Sequence, residues 1–230
     1  MLNIILASFN SFAKNIELAL IIFTVNVVAK YFLSVFDKAH FLYILGIVIF
    51  NIFIMSATVQ ALIKANSDGR WTWKEYFEGG RNSFLFVFVW LLIIMGAVNL
   101  LNLIFSKTPL NDIRKFSIVY FWVAVYCSAF IPVAKISGKN LIESLKSQLG
   151  IIHKKTIRWI LGGVYLYILI FLTFLVIMNI WNMAASVASP VTRLFYVLLG
   201  EFARSCAIVV ILSTLTEMHA DYVMDEEILI

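Results

Sequence analysis

Charge is what this chain has least of. Asp, Glu, Lys and Arg make up 13% of its 230 residues against 62% hydrophobic ones, and its mean hydropathy is +0.95. So little polar surface cannot dissolve a globule of this length, which excludes a soluble fold. Cysteine is almost absent as well. Cys127 and Cys206 have neither CxxC spacing nor a histidine at ligand spacing, so no disulfide or zinc site is expected and both read as buried structural thiols. The histidines His40, His153 and His219 stand apart with no carboxylate constellation. No nucleophile, metal or nucleotide motif occurs, so no catalytic residue or cofactor is nominated. A cleavable secretory signal is not expected either, because Lys14 interrupts the apolar N-terminus and no small-residue cleavage site follows.

What the chain has is six long apolar stretches. Crossing about 30 Å of hydrocarbon takes about 20 helical residues, and backbone groups in lipid must be satisfied within the segment, which favours helices. Barrel strands would be shorter and would alternate polar with apolar; these do not. The expectation is an all-α integral membrane protein, a single polytopic domain over 1–230 with spans near 16–36, 41–63, 84–105, 116–136, 157–182 and 191–216 and an acidic tail over 217–230. Pro132 should kink the fourth span, since it lacks an N–H and crowds the preceding turn. In the last span the clean apolar run from Cys206 to Leu212 is too short to cross, so the helix must extend back through Leu194 and carry Glu201 and Arg204 into the membrane.

Basic residues set the orientation. With six spans, one side holds Lys14, Lys64, Arg70, Lys74, Arg81, Lys135, Lys139, Lys146, Lys154, Lys155 and Arg158, which is 11 of the 18 Lys and Arg. The other side holds Lys30, Lys38, Lys107, Arg114, Lys115 and Arg193. The positive-inside rule makes the richer side cytoplasmic and places both termini there. The net charge of +5 is then a topology signal with affinity for anionic lipid, and nucleic acid is not expected as a partner. The chain also shows a periodicity. Ser8–Phe23 and Glu75–Trp90 align at an offset of 67, pairing Lys14 with Arg81 and Asn15 with Asn82, and Ser147–Leu161 forms a weaker third copy. Each unit would be an amphipathic helix followed by a transmembrane hairpin, three times over.

Two groups of residues are candidates for function. Within the spans, Asn26 with Lys30, Asn99 with Asn102, and Asn179 with Asn182 share helix faces at i, i+3 or i+4 spacing. Asn between membrane helices commonly acts as hydrogen-bonding glue. Glu201 and Arg204 lie roughly 12 to 16 Å of helix beyond Arg193; a lone ion at that depth costs at least about 2.5 to 3.5 kcal/mol, so they should pair with each other or with Lys30. The bland reading is a structural ion pair; the sharper one is an intramembrane polar site made of Glu201, Arg204, Lys30, Asn26, Asn99 and Asn102. On the cytoplasmic side, Trp71, Trp73, Tyr76 and Phe77 fall on one side of a connector that should lie in the interface, with Gly79 and Gly80 turning the chain into the third span. Leu145 and Leu149 share a face of the second connector with Leu141 and Ile152. These faces would anchor in lipid or dock a partner. The ending Asp225–Ile230 has the form of an acidic dileucine signal.

The alternation of amphipathic connector and hairpin, with Lys14–Asn15 and Arg81–Asn82 at corresponding places, resembles uncharacterised bacterial six-span proteins. It is similar to the membrane domain that precedes some glycerophosphodiester phosphodiesterases. The resemblance implies a lipid-embedded accessory role without catalysis of its own, in a bacterial inner membrane. The expected function is a non-enzymatic integral membrane subunit that assists transport or complex assembly, with membrane lipid and a protein partner or second copy as its contacts. Alternatives are a permease subunit of an ATP-driven exporter, whose coupling helix would be the connector from Lys64 to Asn82, and a membrane-embedded enzyme acting on lipid.

Overall fold

A computed structural model describes the backbone of residues 2–35, 40–106 and 117–227, and the side-chain surroundings of 2–29, 45–101, 103–104 and 123–223. The described residues contain no strand. Among the described residues nine helices follow one another: α1 (Leu2–Lys14), α2 (Ile16–Val35), α3 (His40–Asp68), α4 (Trp73–Ser106), α5 (Ser117–Ser128), α6 (Phe130–Ile136), α7 (Leu141–Lys154), α8 (Thr156–Ser186) and α9 (Pro190–Glu227). Four stretches among these residues are long and apolar enough to cross a membrane: Leu45–Asp68, Trp73–Leu101, Thr156–Ser186 and Pro190–Val223. A fifth, α1 with α2, qualifies only as a pair bent by 66°. The part of the α5–α6 segment whose surroundings are described, Val123–Ile136, is apolar but short. The chain is an all-α membrane protein.

Its side chains are distributed as lipid requires. Only 11% of the most apolar stretch of α4, and of α8, is buried inside the protein, so both helices present apolar side chains on nearly every face. The interior, by contrast, holds Ser8, Ser56, Thr58, Ser83, Ser205, Ser213 and Thr214, all buried. Small residues let membrane helices approach closely, and five of these hydroxyls bond within their own helix. Ser8 donates to the Ile4 carbonyl (2.6 Å), Ser56 to Ile52 (2.8 Å), Thr58 to Ile54 (2.8 Å), Ser205 to Glu201 (2.9 Å) and Thr214 to Val210 (2.8 Å).

The central element is α9, with α1, α2, α3, α6, α7 and α8 against it and α4 outside α3. One apolar core joins Leu18, Ala19 and Ile22 of α2 to Ile54, Ala57, Ala61 and Leu62 of α3, Tyr76 of α4 and Val209 of α9. A second joins Ile4, Phe130, Ile151, Leu166, Met218 and Tyr222. This second core corrects the free tail expected over 217–230: α9 continues to Glu227, and Met218 and Tyr222 are fully buried. The Tyr222 hydroxyl donates to the Arg158 carbonyl (3.1 Å), and Lys155 Nζ donates to the Tyr222 carbonyl (3.1 Å). The end of the dileucine-like motif, 228–230, lies outside the described residues.

The connectors differ from each other. Around Lys64–Asn82 no separate interfacial helix exists: α3 runs to Asp68, Gly69 turns with φ 78°, and α4 starts at Trp73 and continues unbroken past Gly79 and Gly80. Those glycines permit close approach instead of a turn. A Cβ on Gly79 would stand 2.5 Å from Gln60 Cγ, and one on Gly80 would stand 2.6 Å from the Phe53 ring. The second connector, α7, is a separate helix opened by a reciprocal cap, Asn140 Oδ1 accepting from the Glu143 N–H (2.9 Å) and Glu143 Oε2 from the Asn140 N–H (2.9 Å). Helix, break and helix therefore recur in α1–α2 and α7–α8 but not in the middle unit. Pro132 acts through a break one turn upstream. The Ala129 N–H turns to the Tyr126 carbonyl (3.1 Å), and the Phe130 N–H is accepted by Gln148 Oε1 of α7 (3.2 Å).

Candidate functional site: a polar corner at one end of the bundle

The intramembrane cluster divides. Glu201 is 1% exposed and its Oε2 lies 3.6 Å from Arg204 Nη1, whose side chain is 43% exposed. The expected pair exists, with one buried member and one that reaches the surface. Gly200, beside Glu201, fits under the Trp181 indole of α8, and Phe202 packs edge-on against Phe23 of α2 at 5.7 Å. Asn26, one turn beyond Phe23, is buried. Lys30 and Asn102 have side chains outside the described residues. Asn99 does not join the site. Ile94 and Val98 take the face of α4 toward the bundle, and Asn99, about 100° further round the helix, is exposed with the lipid-facing side chains, as are Asn179 and Asn182 of α8.

The aromatic connector also divides. Trp73 (59% exposed) and Phe77 (54%) face outward as expected, whereas Trp71 is half-buried and Tyr76 is buried in the core. The reason is the merging of this segment into α4: a helix held to α3 at Gly79 and Gly80 turns its Tyr76 side inward. Its start is capped by Thr72, whose Oγ1 accepts from the Glu75 N–H (3.3 Å) while Glu75 Oε2 accepts from the Thr72 N–H (2.9 Å). On α7, Leu145 and Leu149 are exposed with Leu141 and Ile142, while Ser144, Ser147 and Gln148 are buried. This helix turns Ser144, Ser147, Gln148 and Ile151 to the protein and leaves its leucines outside together with Glu143 and Lys146.

A polar site that the periodicity of the sequence does not reveal lies where the ends of α1 and α3 meet α9 at Glu217. Ser11 Oγ of α1 donates to Asn66 Oδ1 of α3 (3.2 Å), and Asn66 Nδ2 donates to Glu217 Oε1 of α9 (2.8 Å). Asn15 Nδ2 closes the bend after α1 by donating to the Ser11 carbonyl (2.8 Å). Lys14, Glu17 and Arg70 line the same cavity of about 460 Å³. A second cavity, of about 430 Å³, lies between α3, α4 and the end of α6, with Lys64, Glu75, Glu78 and Lys135 in its wall and Lys64 bridging Asp68 (3.5 Å) and Glu75 (4.0 Å). A third, of about 530 Å³, lies between α2 and the aromatic corner, lined by Glu17, Leu20, Ile21, Trp71, Thr72 and Trp73. Residues counted on the basic side of the sequence thus gather at one end of the molecule. The signals available for this corner were the Thr72-x-x-Glu75 cap and the Gly69 stop, which together fix where α3 ends and α4 begins. No family model, curated protein or solved structure matches the chain.

Proposed function

We propose that this protein is a non-enzymatic integral membrane subunit that assembles with a protein partner or with further copies of itself, assisting transport or holding a membrane complex together. The observation that carries the reading is the outward placement of Asn99, Asn179 and Asn182 on helices otherwise covered in apolar side chains. Asn179 Nδ2 is turned back onto the Leu175 carbonyl (2.9 Å), so its amide is partly satisfied at home. An amide on a lipid-facing surface gains about 0.6 to 2 kcal/mol when it bonds across to another helix. Two such helices, each with Asn in its outer part, favour a neighbouring helix there over lipid. The lipid-embedded accessory role implied by the resemblance agrees with this reading. In it the chain makes six crossings, with α2 and the α5–α6 segment added to the four long helices, the outer two units repeat one plan, and the basic end faces the cytoplasm of a bacterial inner membrane.

The test is extraction in native-lipid discs followed by mass measurement. The wild-type chain should run in an assembly heavier than the 26.2 kDa protomer, and Asn99→Leu with Asn179→Leu should shift it toward the protomer while leaving helicity unchanged. A wild-type protein that is monomeric and free of copurifying subunits overturns the proposal. An ATPase in the assembly would favour the exporter alternative.

A further inference from the structure

The corner between α3 and α4 meets the bend between α1 and α2, and two of the cavities there share Glu17 and Trp71 as walls. The Trp71 and Trp73 rings are 5.3 Å apart and nearly perpendicular, at 80°. The contact is edge to face, and an indole face with a carboxylate beside it attracts a cation through the ring quadrupole as well as through charge. Glu17 has no ion-pair partner among the described residues, and it is exposed to the cavity mouth. From Glu17 the wall continues along α2 to Leu20 and Ile21, which follow on the same face one turn further into the span. The cavity is therefore anionic and aromatic at the membrane edge and apolar on the bilayer side. Its neighbour, across Glu17 and Trp71, presents the cations Lys14 and Arg70, with Glu217 held by Asn66 in the same wall.

That order of chemistries matches one class of molecule. We propose that the α1–α2 bend and the α3–α4 corner bind a phospholipid with an ammonium headgroup. The ammonium sits among Glu17, Trp71 and Trp73, the phosphate turns toward Lys14 and Arg70, and the first acyl carbons run along Leu20 and Ile21. A water-soluble ammonium compound would leave the apolar wall unused, and an anionic headgroup would meet the Glu17 carboxylate. The site stands apart from the lipid-facing Asn residues on α4 and α8, so it holds or fails independently of the assembly role.

The experiment titrates the full-length protein in detergent with dihexanoylphosphatidylethanolamine, dihexanoylphosphatidylglycerol and free phosphoethanolamine, counting bound molecules by native mass spectrometry. The ethanolamine lipid should bind about tenfold tighter than the glycerol lipid, the scale expected of a partly desolvated cation on aromatic faces. Glu17→Gln and Trp73→Ala should each remove most of that preference; both side chains are exposed, so the fold should survive, as helicity and a single elution peak will show. Arg70→Gln should weaken both lipids alike and leave the preference intact. Equal affinity for the two lipids in the wild type, or a preference that survives both Glu17→Gln and Trp73→Ala, overturns the ammonium site. Free phosphoethanolamine binding as tightly as the lipid overturns the lipid assignment, and unchanged affinities in Arg70→Gln overturn the placing of the phosphate.

Discussion

Asn66 stands at the end of α3 between α1 and α9, accepting from Ser11 and donating to Glu217. A hydrogen bond to an ionised acceptor contributes about 1.5 to 3 kcal/mol and a neutral one about 1. This corner is open to water, so the lower end applies. Asn66→Ala should therefore lower stability by about 1 to 2 kcal/mol, read as a lower melting temperature in detergent. An unchanged midpoint would mean that the ends of α1 and α3 are held against α9 by apolar packing alone. Asn99 is the same residue type in a different circumstance, and Asn99→Ala should leave the isolated protomer's stability where it was. The sequence distinguishes the two poorly. On a helix that is apolar nearly all round, no stripe indicates which side faces protein, and Asn99 reads as interior until α4 is seen to sit at the periphery. Glu201 and Arg204 were legible because a charge in an apolar run must be compensated wherever it lies. That only Glu201 would be buried was not legible, since a three-residue separation puts both on one face without saying how far each side chain reaches.

Among the elements, α4 shows how one spacing of residues admits two structures. Trp73, Tyr76 and Phe77 followed by Gly79 and Gly80 fit a short interfacial helix and a turn; they fit equally the first turns of a long span. The deciding signal is local and was on the page. Thr72-x-x-Glu75 is a capping box, so the helix begins at Trp73, and glycine in a helix interior lowers propensity without ending it. The Asn140-x-x-Glu143 box marks α7 in the same way, and there the expected separate helix is present. The role assigned to the glycines is open to test with a matched pair. Gly79→Ala would place a methyl group against the Gln60 side chain near its root, where little can move aside. Overpacking of that kind costs about 1 to 3 kcal/mol, more than the roughly 1 kcal/mol that alanine gains over glycine in a helix. Gly96 lies on the same helix with nothing within 4 Å of a Cβ. Gly79→Ala should thus melt at a lower temperature than wild type and Gly96→Ala at an equal or higher one. If the two variants shift together, propensity rather than helix approach governs both positions.

At the scale of the whole molecule, it is the surface that is inverted relative to a soluble bundle. Serines, threonines and a carboxylate lie inside beside the apolar cores, while leucines, phenylalanines and valines cover the outside of α4 and α8. Composition foretold this, because 62% hydrophobic residues cannot all be interior in a chain of 230. Composition could not foretell that α9 would be the axis, for its polar end read as a tail, and it is packing by Met218 and Tyr222 that draws it in. The inverted surface leaves the bilayer orientation to the flanking charges. Lys14, Arg70, Lys64 and Lys135 border cavities at one end of the bundle, and Lys155 is tied there to the end of α9. Acidic residues, Glu17, Glu75, Glu78 and Glu217, line the same cavities, so the expected orientation rests on the Lys and Arg bias between the two sides, to which Asp and Glu contribute little. Single cysteines in a chain carrying Cys127→Ser and Cys206→Ser would read the outcome. Lys74 and Lys146 are exposed, so Lys74→Cys and Lys146→Cys should react with a membrane-impermeant maleimide only after permeabilisation. Lys38→Cys and Lys107→Cys, which lie outside the described residues, should react in intact cells. The reverse pattern would invert the molecule in the membrane. Labelling of Lys146→Cys together with Lys38→Cys and Lys107→Cys in intact cells, with Lys74→Cys protected, would show that the α5–α6 segment does not cross.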